Sequence, residues 1–165
     1  ISPAAAKIKD DMAHQAKEAA LRKIAQTAGL VFYYQGHCPL CHLQAQTLQL
    51  MKALYGFELI PVSTDGELIP SLPDSRIERN PHPRLNIQAY PALYLMQPPD
   101  SIVLLRQGGT SLTDLINRIV EVAFQQNWIT KKLFADTFIN HEPWSDRTLC
   151  TTASHSDSAM CPVNP

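Results

Sequence analysis

Apolar residues recur at helical spacing near the start of the chain: Ile8, Met12, Ala16, Ala19, Ala20, Leu21 and Ile24. Lys and Glu occupy the other face, so the pattern predicts a helix over 3–28, with Gly29 suited to its C-terminal cap. The continuous run Leu30-Val31-Phe32-Tyr33-Tyr34 then reads as a buried strand. A second helix is predicted over 39–55, carrying Leu43, Leu48, Met51 and Leu54 and stopped near Gly56. Phe57 to Ser63 reads as a strand, and Pro61 within it predicts an edge position or an early bulge.

Residues 64–84 are loop-like, with Thr64-Asp65-Gly66 followed by Pro70, Pro73, Pro81 and Pro83. A loop this long inside a compact domain points to a functional segment. Ala92–Met96 and Ile102–Arg106 are the next two strands, joined by the turn Gln97-Pro98-Pro99-Asp100. Gly108-Gly109 breaks the chain. Ser111, with Asp114 three residues on, resembles a capping box for a helix to about Gln126. Leu112, Leu115, Ile116, Ile119, Val122 and Ala123 form its inner face. From about residue 140 onward Ser, Thr, His and Pro dominate and periodicity stops.

The resulting order is α–β–α–β–loop–β–β–α–tail. That is the thioredoxin order with an enlarged middle loop: an α/β fold with a central mixed sheet flanked by helices. The expected organisation is an N-terminal helix (1–29), a thioredoxin-like domain (30–126) and a C-terminal extension (127–165).

The chemistry concentrates at Gly36-His37-Cys38-Pro39-Leu40-Cys41-His42, between the first strand and the second helix. Cys38 is expected at the helix N-terminus, where the macrodipole favours a thiolate over a thiol. Cys41 falls on the first turn, within reach of a mixed disulfide formed at Cys38. The same Cys-Pro-Leu-Cys spacing occurs as half of a zinc ribbon. A ribbon needs a second close pair, and Cys150-x10-Cys161 matches it poorly. The redox reading therefore leads, with no metal and no cofactor expected.

Tyr90-Pro91 precedes the third strand, where a cis-proline faces the CxxC in a thioredoxin fold. Tyr90 and Pro91, with His37 and Pro39 beside Cys38, are the expected substrate-binding residues. A protonated His37 favours a neighbouring thiolate; the bland alternative is an exposed loop histidine, and the bland reading is preferred for His42. Pro39 lacks one N–H but suits the first helical turn. Thioredoxin-like enzymes often bury a proton-accepting carboxylate six residues before the first cysteine; that position is Phe32. Either proton transfer uses water or another group, or fast reductase turnover is not the task.

Composition narrows the picture. The chain has 165 residues, an apolar fraction of 45% and a net charge of −1, so no strong field attracts nucleic acid or an acidic membrane. No apolar run reaches bilayer-spanning length. The first residue is Ile1 rather than Met, so a removed leader or a longer N-terminal region is compatible with the sequence. The four cysteines are Cys38, Cys41, Cys150 and Cys161. In an oxidising compartment Cys150 and Cys161 are expected to form a structural disulfide while the CxxC cycles; two free tail thiols are the alternative.

From about residue 30 to 126 the chain resembles the TraF family of F-type conjugative transfer proteins. The resemblance is carried by Leu30-Val31-Phe32-Tyr33-Tyr34, Leu59-Ile60-Pro61-Val62-Ser63-Thr64-Asp65-Gly66, Leu72-Pro73-Asp74-Ser75-Arg76 and Tyr90-Pro91-Ala92-Leu93-Tyr94-Leu95. The stretch Gln35 to His42 is also similar to TrbB, a related thioredoxin-like protein of such systems. The resemblance implies a periplasmic protein of the conjugative type IV secretion apparatus, acting in pilus assembly. It implies other transfer proteins and disulfide-containing periplasmic clients as partners. Two functions follow: a thiol–disulfide oxidoreductase or isomerase, or a structural assembly factor using the fold as a binding platform.

Overall fold

The structure is a computed structural model that describes residues 1–138. Its chain contacts divide into two units: residues 21–128, and residues 1–20 together with residues 129–138 of the described chain.

The larger unit is built on a five-stranded mixed sheet. In chain order the strands are β1 (Gly29–Tyr34), β2 (Glu58–Ser63), β3 (Arg76–Ile77), β4 (Ala92–Gln97) and β5 (Ser101–Gln107), arranged β3-β2-β1-β4-β5. β1 runs parallel to β2 and antiparallel to β4, and β4 and β5 form an antiparallel hairpin. Helix α2 (Pro39–Tyr55) is the crossover joining the parallel pair, and α3 (Leu112–Gln125) follows the hairpin. This βαβ–ββα order with a mixed sheet is the thioredoxin-like fold read from the sequence.

β1 is central, and all six of its residues are buried. Alternation divides it between two faces. Val31 and Tyr33 pack with Val62, Ala92 and Tyr94 on one face. Phe32 and Tyr34 share the other, their rings stacked with centroids 5.1 Å apart. A strand buried on both sides reads as a continuous apolar run rather than an alternating one, as this sequence does. Pro61 sits opposite Phe32 in the β1–β2 register. The neighbour on the outer side, β3, pairs only with Val62 and Ser63, so Pro61 lies where that edge is open and no ladder donor is required.

The β4–β5 register shifts between Leu93 and Tyr94, leaving Leu105 as an extra residue. Arg118 on α3 donates to the carbonyls of Leu104 and Leu105 at 3.1 and 3.2 Å, which ties the helix to this bulge. α3 starts as expected, with the Ser111 hydroxyl accepting the Asp114 N–H at 3.1 Å. It buries Leu115, Ile119, Val120, Val122 and Ala123.

Several elements differ from the sequence reading. Helix α1 is Pro3–Ala25, three residues shorter than expected. Gly29 is not its cap but the first residue of β1, paired with Glu58 and Met96. Ile8 and Met12 are exposed, whereas Ala13, Ala20, Leu21 and Ile24 are buried. On α2 the buried set is Cys41, Gln44, Ala45, Leu48 and Met51, while Leu43 and Leu54 face outward. The 64–84 segment is not wholly a loop, since it holds β3 and the start of a 3-10 turn at Pro83–Leu85.

The second unit, as far as it is described, consists of the first part of α1 and a short helix α4 (Lys131–Asp136) that the sequence reading had not separated from the extension. Thr130 caps α4 through a 3.1 Å bond from the Leu133 N–H, and Phe134 meets Phe138 edge-on at 5.1 Å. Cys150 and Cys161 lie outside the described residues.

Candidate active site at the start of α2

Cys38 is the N-cap of α2, in extended backbone conformation, followed by Pro39 in the first turn. This is the cap position where a side chain satisfies an orphan helical N–H. Here a sulfur does so: Cys38 Sγ accepts the Cys41 N–H at 3.1 Å. Both cysteines are free thiols; Cys38 is half-buried and Cys41 fully buried. Burial pushes the Cys41 thiol up to about 12, reinforced by the Cys38 contact and the nearby negative charge of Asp65, and opposed by a backbone hydrogen bond at Gln35. The pair is thus asymmetric: Cys38 is partly exposed and Cys41 is buried.

The turn before Cys38 is fixed from three sides. Both carboxylate oxygens of Asp65 accept the Gly36 N–H at 3.1 Å. The Asp65 carboxylate also takes the Glu67 N–H at 3.0 Å and the Ser63 hydroxyl at 3.1 Å. Its Oδ2 lies 2.7 Å from His37 Nδ1. Partial burial works against the charge on Asp65, but these hydrogen bonds overcome it and hold the carboxyl down to about 2. On the other side, His42 Nε2 lies 2.7 Å from the Gly36 carbonyl, which can only accept, so Nε2 carries the proton. Finally, Gly36 abuts Glu67 so closely that a Cβ there would come within 2.6 Å of the Glu67 carbonyl oxygen.

Asp65 carries no expected role in the sequence reading, and His42, for which the bland reading is preferred there, instead holds the Gly36 carbonyl. The signal for Asp65 was present in Ser63-Thr64-Asp65-Gly66, a strand end running into an Asx turn whose carboxylate bonds the N–H two residues on. Gly66 completes that turn at φ +86°. The loop is held further by Arg79, which donates to the Asp65 carbonyl at 3.0 Å. Tyr34 anchors its continuation: the phenol donates to Ser75 Oγ at 2.6 Å and accepts the Ile69 N–H at 3.3 Å.

Tyr90-Pro91 is a cis peptide. The Pro91 carbonyl accepts the Gly108 N–H at 2.8 Å. The next residue, Gly109, lies against Leu40 between the two cysteines, where a Cβ would come within 3.1 Å of the leucine side chain. Thr110 N–H then bonds Gln44 Oε1 on α2 at 2.7 Å. The segment 108–110 therefore links Pro91 to the start of α2. Gln107 orders the approach to Tyr90: its Oε1 accepts the Gln88 and Ala89 N–H groups at 2.6 and 3.0 Å, and its Nε2 donates to the Asn86 carbonyl at 2.9 Å. An open cavity of about 260 Å³ beside Tyr90 is lined by Pro81, His82, Pro83, Asn86 and Ile87.

Of the expected residues, Cys38, Cys41, His37 and Pro39 share the start of α2, and Tyr90-Pro91 is joined to them through Gly108 and Gly109. Phe32, at the position considered for a carboxylate, is fully buried and apolar. His37, Asp65 and Glu67 have potential ligand atoms within 4.8 Å of one another. Both Asp65 oxygens are already engaged by protein donors, so the cluster reads as a hydrogen-bond network rather than a metal cage.

Fold and site define a thioredoxin-like protein with a Cys-x-x-Cys pair at the head of α2. The family model described as "TraF: F plasmid transfer operon protein" matches residues 1–120, and the chain belongs to this TraF family. Protein TraF of Escherichia coli (strain K12) is 35% identical over 105 residues, covering 63% of this chain and 42% of that protein. The chain thus spans under half the length of that relative. Among solved structures, a malarial protein aligns with TM-score 0.41 at 18% identity, covering 58% of this chain and 96% of that one. Thioredoxin O2 from Arabidopsis thaliana aligns with TM-score 0.34 at 18% identity, covering 65% and 83%. Among the described residues no helix is long and apolar enough to cross a membrane.

Proposed function

We propose that this protein is a periplasmic thiol–disulfide oxidoreductase or isomerase of a conjugative type IV secretion system, assisting pilus assembly by maturing disulfide-bonded transfer proteins. The observation that carries the reading is the asymmetric pair, a half-exposed Cys38 capping α2 above a buried Cys41.

Cys38, as thiolate, attacks one sulfur of a client disulfide. The client S–S bond breaks, a bond from Cys38 Sγ to the client forms, and the expelled client thiolate takes a proton from solvent. Cys41 gives its proton to solvent and attacks Cys38 Sγ. This expels the second client thiolate, which is protonated in turn, and closes the Cys38–Cys41 disulfide. The client gains two electrons and two protons from solvent; the protein loses two electrons and the Cys41 proton, the Cys38 proton having gone to solvent when its thiolate formed. In reverse, the oxidised pair delivers a disulfide to a client dithiol. If a client thiol attacks the mixed disulfide first, the result is isomerisation without net electron transfer. Tyr90 and Pro91 present backbone to an extended client, and His37 and Pro39 flank the attacking sulfur. Cys150 and Cys161 pair with each other as a clip in the tail; non-reducing peptide mapping of protein from an oxidising compartment tests that pairing.

The second reading is a non-catalytic assembly factor, favoured by the apolar Phe32, which leaves that position without a proton acceptor for Cys41. A Cys41→Ala variant expressed in conjugating cells separates the two. The redox reading expects transfer proteins to be captured as mixed disulfides at Cys38 and conjugation to fall. No captured partner together with normal conjugation supports the platform.

A further inference from the structure

We propose that Asp65 is the positioning residue of this redox centre: it pins the Gly36-His37 turn so that Cys38 and the His37 ring are presented together, and it is not the acceptor of the Cys41 proton. The inference rests on the redox reading above. Its ground is geometric. One carboxylate, delivered from the end of β2, binds the Gly36 N–H with both oxygens and pairs with His37 at 2.7 Å. The same group takes Ser63 Oγ and the Glu67 N–H, so its lone pairs are filled by protein donors. A carboxylate so engaged stays ionised at neutral pH and has no site free to take up a proton from a thiol.

The two roles predict opposite kinetics. Burial is the main cause that disfavours the Cys41 thiolate, and the negative charge of Asp65 acts in the same direction as a smaller cause. Removing that charge therefore does not slow the resolving step. Capture by Cys38 depends on the turn, and small displacements of a reacting group are costly in rate.

The test is Asp65→Asn in the 165-residue chain, with glutathione disulfide as probe. Capture is read as the rate of mixed-disulfide formation in a Cys41→Ala background. Resolution is read as release of the second glutathione thiol from the two-cysteine protein. The expected result is capture slowed by about tenfold or more with resolution not slowed. Resolution slowed as much as capture, or more, makes Asp65 the proton acceptor and overturns the proposal. So does an unchanged rate in both steps. His37→Gln, at a side chain 68% exposed, keeps the Gly36 contact and serves if Asp65→Asn does not fold. It is expected to slow capture alone, and unchanged capture there overturns the presentation of His37. A Cys41→Ala protein with Asp65 intact that forms no adduct at Cys38 overturns the redox reading itself, and the Asp65 role with it.

Discussion

Asp65 and Gly36 stand 29 residues apart in sequence, yet both carboxylate oxygens of the one lie 3.1 Å from the backbone nitrogen of the other. The contact is close because Gly36 has no side chain. The Glu67 backbone fills the space a Cβ requires. Gly36→Ala is expected to destabilise the protein by roughly 1–3 kcal/mol, the usual cost of overpacking, through displacement of the 63–67 loop. Chemical denaturation checks the magnitude. A loss below a few tenths of a kcal/mol means the loop yields freely and the turn is not held as described.

Two groups near this turn give the stability a definite pH dependence. Asp65 is lowered from 3.8 to about 2 in the folded state, so its contribution is present above pH 3.8 and is lost as pH falls towards 2. Cys41 is raised from 9.0 to about 12, so its contribution is present below pH 9 and is lost as pH rises towards 12. Unfolding titrations of the reduced protein read both limbs. Asp65→Asn is expected to flatten the acid limb and Cys41→Ala the alkaline limb. Limbs that persist unchanged in these variants assign the dependence to other groups.

Tyr34 links the sheet to the 64–75 segment through its hydroxyl. Tyr34→Phe removes the bond to Ser75 Oγ and leaves the buried Ile69 N–H without its acceptor. The expected cost is about 1–3 kcal/mol. Faster amide exchange confined to residues near 69–75 locates the loss, and uniform exchange across β1 and β2 contradicts it.

Gln107 holds the backbone of residues 86–89 through three hydrogen bonds. Gln107→Ala is expected to weaken capture of a protein client several-fold while leaving reaction with glutathione disulfide intact, because the released segment leads into Tyr90 and not into Cys38. Parallel rate measurements on the two substrates decide it. Equal loss on both places Gln107 in the support of the fold alone.

Much of this architecture was legible in the sequence because its signals are local. The continuous apolar run at β1, the Pro39 and Gly56 boundaries of α2 and the Ser111 cap each act within a few residues. The features without a local signal act at a distance or over too short a span. β3 has two residues, Arg76 and Ile77, which cannot display a period. α4 spans less than two turns. Apolar spacing alone picked half of the buried face of α2: Leu48 and Met51 are buried, but Leu43 and Leu54 are exposed and the core takes Gln44 and Ala45 instead. The CxxC and Tyr90-Pro91 carried their own local signature. His42 and Gln107 did not, and the Asx turn at Asp65 marked only its local bond to Glu67, since the contacts of all three with distant backbone exist only in the folded chain.

In the proposed thiol–disulfide exchange centre Cys38 attacks and Cys41 resolves. Intact-mass analysis after reaction with glutathione disulfide, with the adduct located by peptide mapping, tests it most directly. The expected result is one stable glutathione adduct on Cys38 in Cys41→Ala, and an adduct-free Cys38–Cys41 disulfide in the parent protein. An unmodified Cys38 in Cys41→Ala, or an adduct forming faster on Cys41 in Cys38→Ala, contradicts it.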